Sequence, residues 1–259
     1  DDFKRYCDDS SEWVISCVAD GAGSCKYSRQ GAFVAVNSAT NSLKESLNGH
    51  YGTELERAYN DFSNENSEEN QKSLLEAYQH TIVKAVFSAA KAIHSSVDAN
   101  QGDSVKDFST TLILAAHKKV EEGYLVISFW IGDGGIAIYD KNKKVVLMGE
   151  PDSGAFAGQT RLLDNKIFED GSVYKRVKMN KVESMSALIL ATDGITDAWF
   201  ETEKQLESLL HWDKLWNELE PHIMNKNRES GLQGLTQWMD FWSKGNHDDR
   251  TISVCLVKE

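Results

Sequence analysis

The sequence predicts an α+β fold. Two observations carry that prediction. Short β-type runs crowd the middle of the chain with only a few residues between them, and long stretches of helical periodicity lie outside that crowd. A third observation bounds the organisation. The 259 residues are 41% hydrophobic, include only two prolines and contain no Pro-rich or Gly/Ser-rich linker, so the span 1–259 reads as a single domain.

The elements follow in order. Glu12–Ala19, "EWVISCVA", is apolar over most of its length and reads as a strand. Ser28–Leu47 reads as a helix, with Phe33, Val36, Leu43 and Leu47 at helical spacing. The polar segment Asn60–Asn70 is expected to be a loop. Asn66–Asp98 is a stronger helix, in which Leu75, Tyr78, Ile82, Val86, Ala89 and Ile93 mark one buried face and an acidic first turn complements the dipole. "STTLILAAH", "GYLVISFWIGD", "GIAIYD" and "KVVLM" follow as strands whose close spacing predicts antiparallel hairpins. "SVYKRVKM" and "ALILATD" add two strands. Thr202–Trp242 returns to helix, rich in tryptophan, and "RTISVCLV" closes the chain as a strand. Trp199, Trp212, Trp216, Trp238 and Trp242 read as packing anchors. No internal repeat is evident.

Composition excludes some functions. The net charge is −12 with no basic stripe, which repels nucleic-acid phosphates and attracts a basic protein segment. No apolar run approaches the roughly 20 residues of a membrane span, and a secretory signal before the first strand is not expected. Cys7, Cys17, Cys25 and Cys255 form no C-x-x-C pair, so a zinc site is not expected. Cys17 and Cys255 fall in apolar runs as small buried hydrophobes, and a reducing cytoplasm is the simplest setting.

Carboxylates recur where apolar runs stop. Asp20 ends "VISCVA" and precedes Gly21; Asp133 follows "FWIG" and precedes Gly134; Asp193 ends "LILAT" and precedes Gly194; Asp248 and Asp249 precede "RTISVCLV". Asp8 and Asp9 form a fifth acidic group before the first strand. One Asp-Gly is an ordinary turn signal. Several ionised carboxylates at the edge of burial are costly, and nearby cations are too few to pair with all of them. Divalent metals offset that repulsion if the strand ends converge, and hard oxygen ligands select Mg2+ or Mn2+. Gly21, lacking a side chain, lets its carbonyl face an ion.

In order, "CDDS", "VADGAGS", "STTL", "WIGDGG", "LILATDGITD" and "GNHDDRTISV" resemble the successive motifs of the PPM family, the metal-dependent type 2C serine/threonine protein phosphatases. The likeness spans Cys7–Val254 and is greatest to the compact bacterial members, which also have a segment like "GAFAGQTRLLD". It implies a sandwich of two antiparallel β-sheets flanked by α-helices, with two metals, or three, at one end. Asp20 matches the aspartate that bridges two metals, and Gly21 the glycine whose carbonyl reaches one. Asp193 and Asp248 match the aspartates completing the other ion's shell. Asp8 and Asp9 match acids that contact the metals mostly through water, and Asp133 the acid of a third, weaker site. Asp249 stands where many members have asparagine and is expected to act from behind the ligands. The implied activity is hydrolysis of phosphoserine and phosphothreonine on proteins by a metal-activated water, opposing a serine/threonine kinase.

Two departures stand out. Many members carry histidine after the Asp-Gly pair, whereas this chain has Ala22. For the phosphate-binding arginine upstream of the first acidic motif the candidates are Lys4 and Arg5, with Arg5 one position out of register, and a strand before that motif is expected to be missing or shortened. Two rivals remain. "TDGIT" suggests a haloacid-dehalogenase-type phosphatase, but Ala191 stands where that family has its nucleophile. A pseudophosphatase, binding phosphoproteins or regulating partners without turnover, is the non-enzymatic alternative; retention of the main acids argues against it. The segment Glu201–Trp242 is expected to carry substrate or partner specificity.

Overall fold

The central strands are apolar without alternation because both of their faces are buried. In the computed structural model, which describes residues 2–6, 12–99, 104–141, 143–149, 151–152, 160–241 and 248–257, Trp13, Ile15, Cys17 and Ala19 pack into one hydrophobic core, while Val14 and Val18 pack into a second. The same alternation continues in the next strands. Leu112, Leu114, Ala116, Leu125, Ile127 and Phe129 face the first core, and Ile113, Ala115, Val126 and Trp130 the second. Side chains of period two sorted into two cores define a sheet sandwiched between a helical layer and another sheet.

The chain runs β1 (Asp2–Tyr6), β2 (Trp13–Ala19), α1 (Ser28–Leu47), α2 (His50–Asn64), α3 (Glu68–Ala99), β3 (Leu112–Val120), β4 (Gly123–Ile131), β5 (Gly135–Asp140) and β6 (Lys144–Leu147). It continues through α4 (Lys166–Glu169), α5 (Ser172–Lys175), β7 (Val177–Val182), β8 (Ala187–Ala191), α6 (Asp193–Trp199), α7 (Glu203–Leu206), α8 (Leu209–Ile223), α9 (Arg228–Met239) and β9 (Ile252–Leu256). One sheet has the order β1-β2-β3-β4-β7 and the other β6-β5-β8-β9, with every ladder antiparallel. Helices α1–α3 cover the first sheet, and Trp212, Leu215, Trp216 and Leu219 of α8 cover the second. The expected sandwich of two antiparallel sheets flanked by helices is therefore the fold. None of the described helices is long and apolar enough to cross a membrane.

Several expectations give way. Asn60–Asn70 is not a loop: α2 runs to Asn64 and α3 begins at Glu68. Helix α2 has a thin buried stripe, Gly52, Leu55 and Ala58, hidden among polar residues. In α3 the buried leucine is Leu74, while Leu75 is 41% exposed. In α1 Phe33 is 57% exposed, because small residues such as Gly31, Ala32 and Ala35 make the close approach to the neighbouring elements. Ser172–Met179 is not one strand; Ser172–Lys175 is a helical turn and the strand starts at Val177. A five-residue strand, β1, does precede the first acidic motif. Finally, β4 and β5 do not form a hairpin. They belong to different sheets, joined by Gly132, Asp133 and Gly134.

That crossing fixes where the site lies. Register pairs Asp2 with Ala19, Val18 with Ile113, and Leu112 with Ile131 in the first sheet. Gly135, Ala191 and Ile252 are aligned in the second. Because Ile131 and Gly135 are separated by one short turn, these two sets of strand ends meet at one end of the sandwich.

Candidate metal centre

Three carboxylates separated by up to 228 positions in the chain, Asp20, Asp193 and Asp248, meet at that end, with one oxygen from each within 4.8 Å of the others. Asp20 follows β2, Asp193 opens α6 directly after β8, and Asp248 lies shortly before β9. Asp20 and Asp193 are half-buried; Asp248 is exposed.

The backbone around Asp20 is pinned. Its N–H donates to Thr111 Oγ1 at 2.8 Å, and its carbonyl accepts from Thr111 N–H and Thr110 Oγ1, each at 2.8 Å. Thr110 and Thr111 thus position the aspartate. Gly21 bridges Thr110, and a Cβ there would lie 2.6 Å from the Ser28 backbone. The glycine is required by the start of α1 passing against it. Gly194 is required in the same way, since a Cβ would lie 2.0 Å from the Asp249 carbonyl. Asp193 accepts from Gly194 N–H at 2.8 Å. Arg250 ties the Asp248 segment to α9, donating to Met239 O and Phe241 O, each at 2.7 Å.

Burial, then Asp193, Asp248 and Asp133, push the Asp20 carboxyl up to about 7. Burial, then Asp133 and Asp248, raise Asp193 to about 7 as well. No lysine or arginine among the described residues pairs with Asp20 or Asp193. Packed oxygen donors with uncompensated charge fit a hard divalent cation, Mg2+ or Mn2+, and not a thiophilic metal. The expected pH dependence follows. Unfolded aspartates ionise near 3.9, whereas these two hold their protons to about 7 when folded. Their contribution to stability is full below the lower value and is lost as pH rises through the higher one. In EDTA the melting temperature should fall between pH 5 and 7.5, and Mn2+ should raise it more at pH 7.5 than at pH 5. A flat profile in EDTA would contradict the crowding of these acids.

The other predicted residues are placed differently. Asp133 sits in the turn between β4 and β5, outside the three-carboxylate group, and accepts from Thr160 Oγ1. Its turn is held from below: Asp152 accepts from Gly132 N–H at 3.1 Å and forms a bidentate pair with Arg176, which also donates to Trp130 O at 3.2 Å. The Asp249 N–H donates to Asp248 Oδ1 at 2.9 Å, with its side chain exposed. Lys4, expected to bind phosphate, directs its ammonium to Asn37 Oδ1 at 2.9 Å and Asn41 Oδ1 at 3.0 Å on α1, and none of these partners belongs to the acidic group. Arg5 lies opposite Ser16 in β1, and its side chain lies outside the described residues, as do Asp8 and Asp9. Ala22 is half-buried and its N–H donates to Ser109 O at 3.0 Å.

Sequence reasoning passed over Asp197, Asp152 and Arg176. Asp197 is exposed as a residue, yet partial burial of its carboxyl, then Asp133 and Asp248, push it upward. Its signal was its place one helical turn after Asp193, on the same side of α6. Asp133, Asp152, Thr160 and Asp197 line a cleft of about 200 Å³ beside the three carboxylates.

A family model described as protein phosphatase 2C matches residues 1–240, a stretch that stops short of Asp248. Among solved structures, the serine/threonine phosphatase Stp1 from Staphylococcus aureus is 12% identical, with 100% of this chain and 94% of that one covered and a TM-score of 0.48. The serine/threonine phosphatase PstP/Ppp of Mycobacterium tuberculosis is 12% identical over 99% of this chain and 92% of that one, with a TM-score of 0.46. A stage II sporulation E family protein from Thermanaerovibrio acidaminovorans is 13% identical over 74% and 80%, with a TM-score of 0.43. No curated protein matches the chain.

Proposed function

The chain belongs to the protein phosphatase 2C family, and from that premise we propose that it hydrolyses phosphoserine and phosphothreonine on proteins. The observation that carries the proposal is the meeting of Asp20, Asp193 and Asp248 within 4.8 Å. These residues, with the Gly21 carbonyl, would hold the Mn2+ or Mg2+ of the family, and Asp133, Asp8 and Asp9 are assigned supporting contacts. When bound, such ions act as Lewis acids on a phosphate ester and make water nucleophilic near neutral pH. They also reverse the sign of a pocket whose acids alone repel a phosphate dianion.

The chain's own residues set the geometry. Thr110 and Thr111 hold the Asp20 backbone, and Arg176 and Asp152 brace the turn of Asp133. Water supplies the oxygen that displaces the serine or threonine oxygen from phosphorus, and no covalent bond between phosphorus and the chain is needed. Ala22 offers no proton, so the leaving oxygen takes its proton from solvent. Asp249 supports Asp248 through the backbone. Phosphate is assigned to the metal-lined pocket, with Arg5 the remaining candidate among the two upstream cations. The whole span is assigned as one catalytic domain, whose natural counterpart is a serine/threonine kinase acting on the same proteins.

The test is hydrolysis of p-nitrophenyl phosphate. Turnover should appear with Mn2+ or Mg2+, vanish in EDTA, and vanish in Asp193→Ala. The position of Ala22 favours one competing reading, a pseudophosphatase. Calorimetric Mn2+ binding without any turnover of p-nitrophenyl phosphate or phosphopeptides would decide for that reading.

A further inference from the structure

A second cleft, of about 290 Å³, opens on the far side of Asp152. It lies at the edge of the first sheet, where β7 is the last strand, and is lined by Trp130, Pro151, Arg161, Lys175, Arg176 and Lys178, among others. Four cations in one cleft are unusual in a chain of net charge −12. Asp152 is the single carboxylate among the described lining residues, and it is consumed by Arg176. Arg161 reaches Asp170 at 3.5 Å, and Lys175 has no ion-pair partner among the described residues. Arg176 spends its terminal nitrogens on Asp152 and Trp130 O, which leaves its Nε–H buried without a hydrogen-bond partner. Cationic side chains gathered around one cleft favour an oxyanion as its ligand.

The position of this cleft decides which oxyanion. Pro151 and Asp152 form a wall shared with the cleft that Asp133 and Asp197 line beside the three carboxylates. A polypeptide whose phosphorylated residue lies at the carboxylates and whose chain crosses that wall delivers a neighbouring side chain to the cations. We propose that the Arg161–Lys175–Lys178 cleft is a second anion subsite, which takes an acidic or phosphorylated side chain flanking the phosphoserine or phosphothreonine of the substrate. The inference rests on the phosphatase reading and narrows its substrate class to acidic or multiply phosphorylated segments. Guanidinium and ammonium groups in a partly enclosed cleft strengthen such contacts over those at an open surface.

The experiment uses the full chain with Mn2+. The probes are phosphoserine peptides carrying one glutamate or one additional phosphoserine at each of about five positions on either side, beside a neutral peptide. Affinity is read by calorimetry and turnover by phosphate release. An acid at one favoured offset should tighten binding by about tenfold, the scale of one charged hydrogen bond. Lys175→Glu with Lys178→Glu should erase that preference while hydrolysis of p-nitrophenyl phosphate is unchanged, which also verifies folding. Arg161→Glu with Lys175→Glu provides a second pair that leaves β7 intact. Lys72→Glu with Lys91→Glu, on the exposed side of α3, controls for net charge. Equal affinity for acidic and neutral peptides, or a preference that survives both pairs, overturns the proposal. Inorganic phosphate competing as strongly as the doubly phosphorylated peptide would make the cleft a free-anion site and overturn it too. Loss of turnover on every substrate, with the offset preference intact in calorimetry, would sink the phosphatase reading and leave the cleft standing.

Discussion

Asp20→Asn is expected to reduce metal-dependent hydrolysis of p-nitrophenyl phosphate by more than about 10²-fold, beyond the loss produced when only an outer-shell partner of a metal ligand is removed. The same substitution should stabilise the metal-free protein. Asparagine keeps the shape and leaves the backbone contacts to Thr110 and Thr111 in place, while removing one of the carboxylates that push each other upward. A gain of about 1 kcal/mol, or roughly 2–4 °C in melting temperature, is the expected size for a chain of this length. The opposite signs are the point of the experiment. A residue kept for stability would lose both activity and melting temperature, whereas a residue kept for ions loses one and gains the other. Undiminished turnover in Asp20→Asn would end the metal-centre assignment.

Arg176→Ala should be the most destabilising single change near the site. The guanidinium and the Asp152 carboxylate are only 14% and 16% exposed, and the pair braces the turn that carries Asp133. Removing one partner strands the other charge, at a cost of about 2–4 kcal/mol, slightly under the range for fully buried pairs because both groups keep some contact with water. That corresponds to a fall of roughly 5–15 °C in melting temperature. Arg176→Met combined with Asp152→Leu should recover part of that loss, because no charge is then left unpaired, yet should still weaken activity if the turn of Asp133 is displaced. Thermal unfolding of the two variants side by side reads this directly. Equal loss in the single and double variants would mean that packing, and not the ion pair, holds the turn.

Much of the fold was legible because its signals are local. The strands of "VISCVA", "LILAA" and "LVISFW" are marked by unbroken β-type apolar runs, and α3 by its stripe from Tyr78 to Ile93. Where reading failed, the deciding contact was not local. Helix α2 does carry an amphipathic stripe, with Leu55 and Ala58 buried and Tyr59 and Phe62 packed against the first core, but its overall polarity masks it, and the contact that seats it, Gly52 against the Leu47 carbonyl, is made outside the helix. The turn Ser172–Lys175 has the composition of a strand, and nothing nearby says that β7 begins two residues later. The pairing of β4 and β5 was misjudged for the same reason, since a short turn serves a hairpin and a change of sheet equally well.

For the site the division is sharper. The sequence alone pointed to a divalent-cation site, because carboxylates recur where apolar runs stop and need compensating charge there, and the order of the motifs pointed to the family. It also determined that Asp20 and Asp193 stand at such boundaries. Only the tertiary structure decided that they meet Asp248 within 4.8 Å, that Lys4 turns to α1, and that Arg176 and Asp152 stand behind Asp133. The physical reason is range. Burial and periodicity act on neighbours in the chain, whereas charge repulsion, ion pairing and clefts depend on distances in space, which are set by strand register and by the point at which the chain crosses from one sheet to the other.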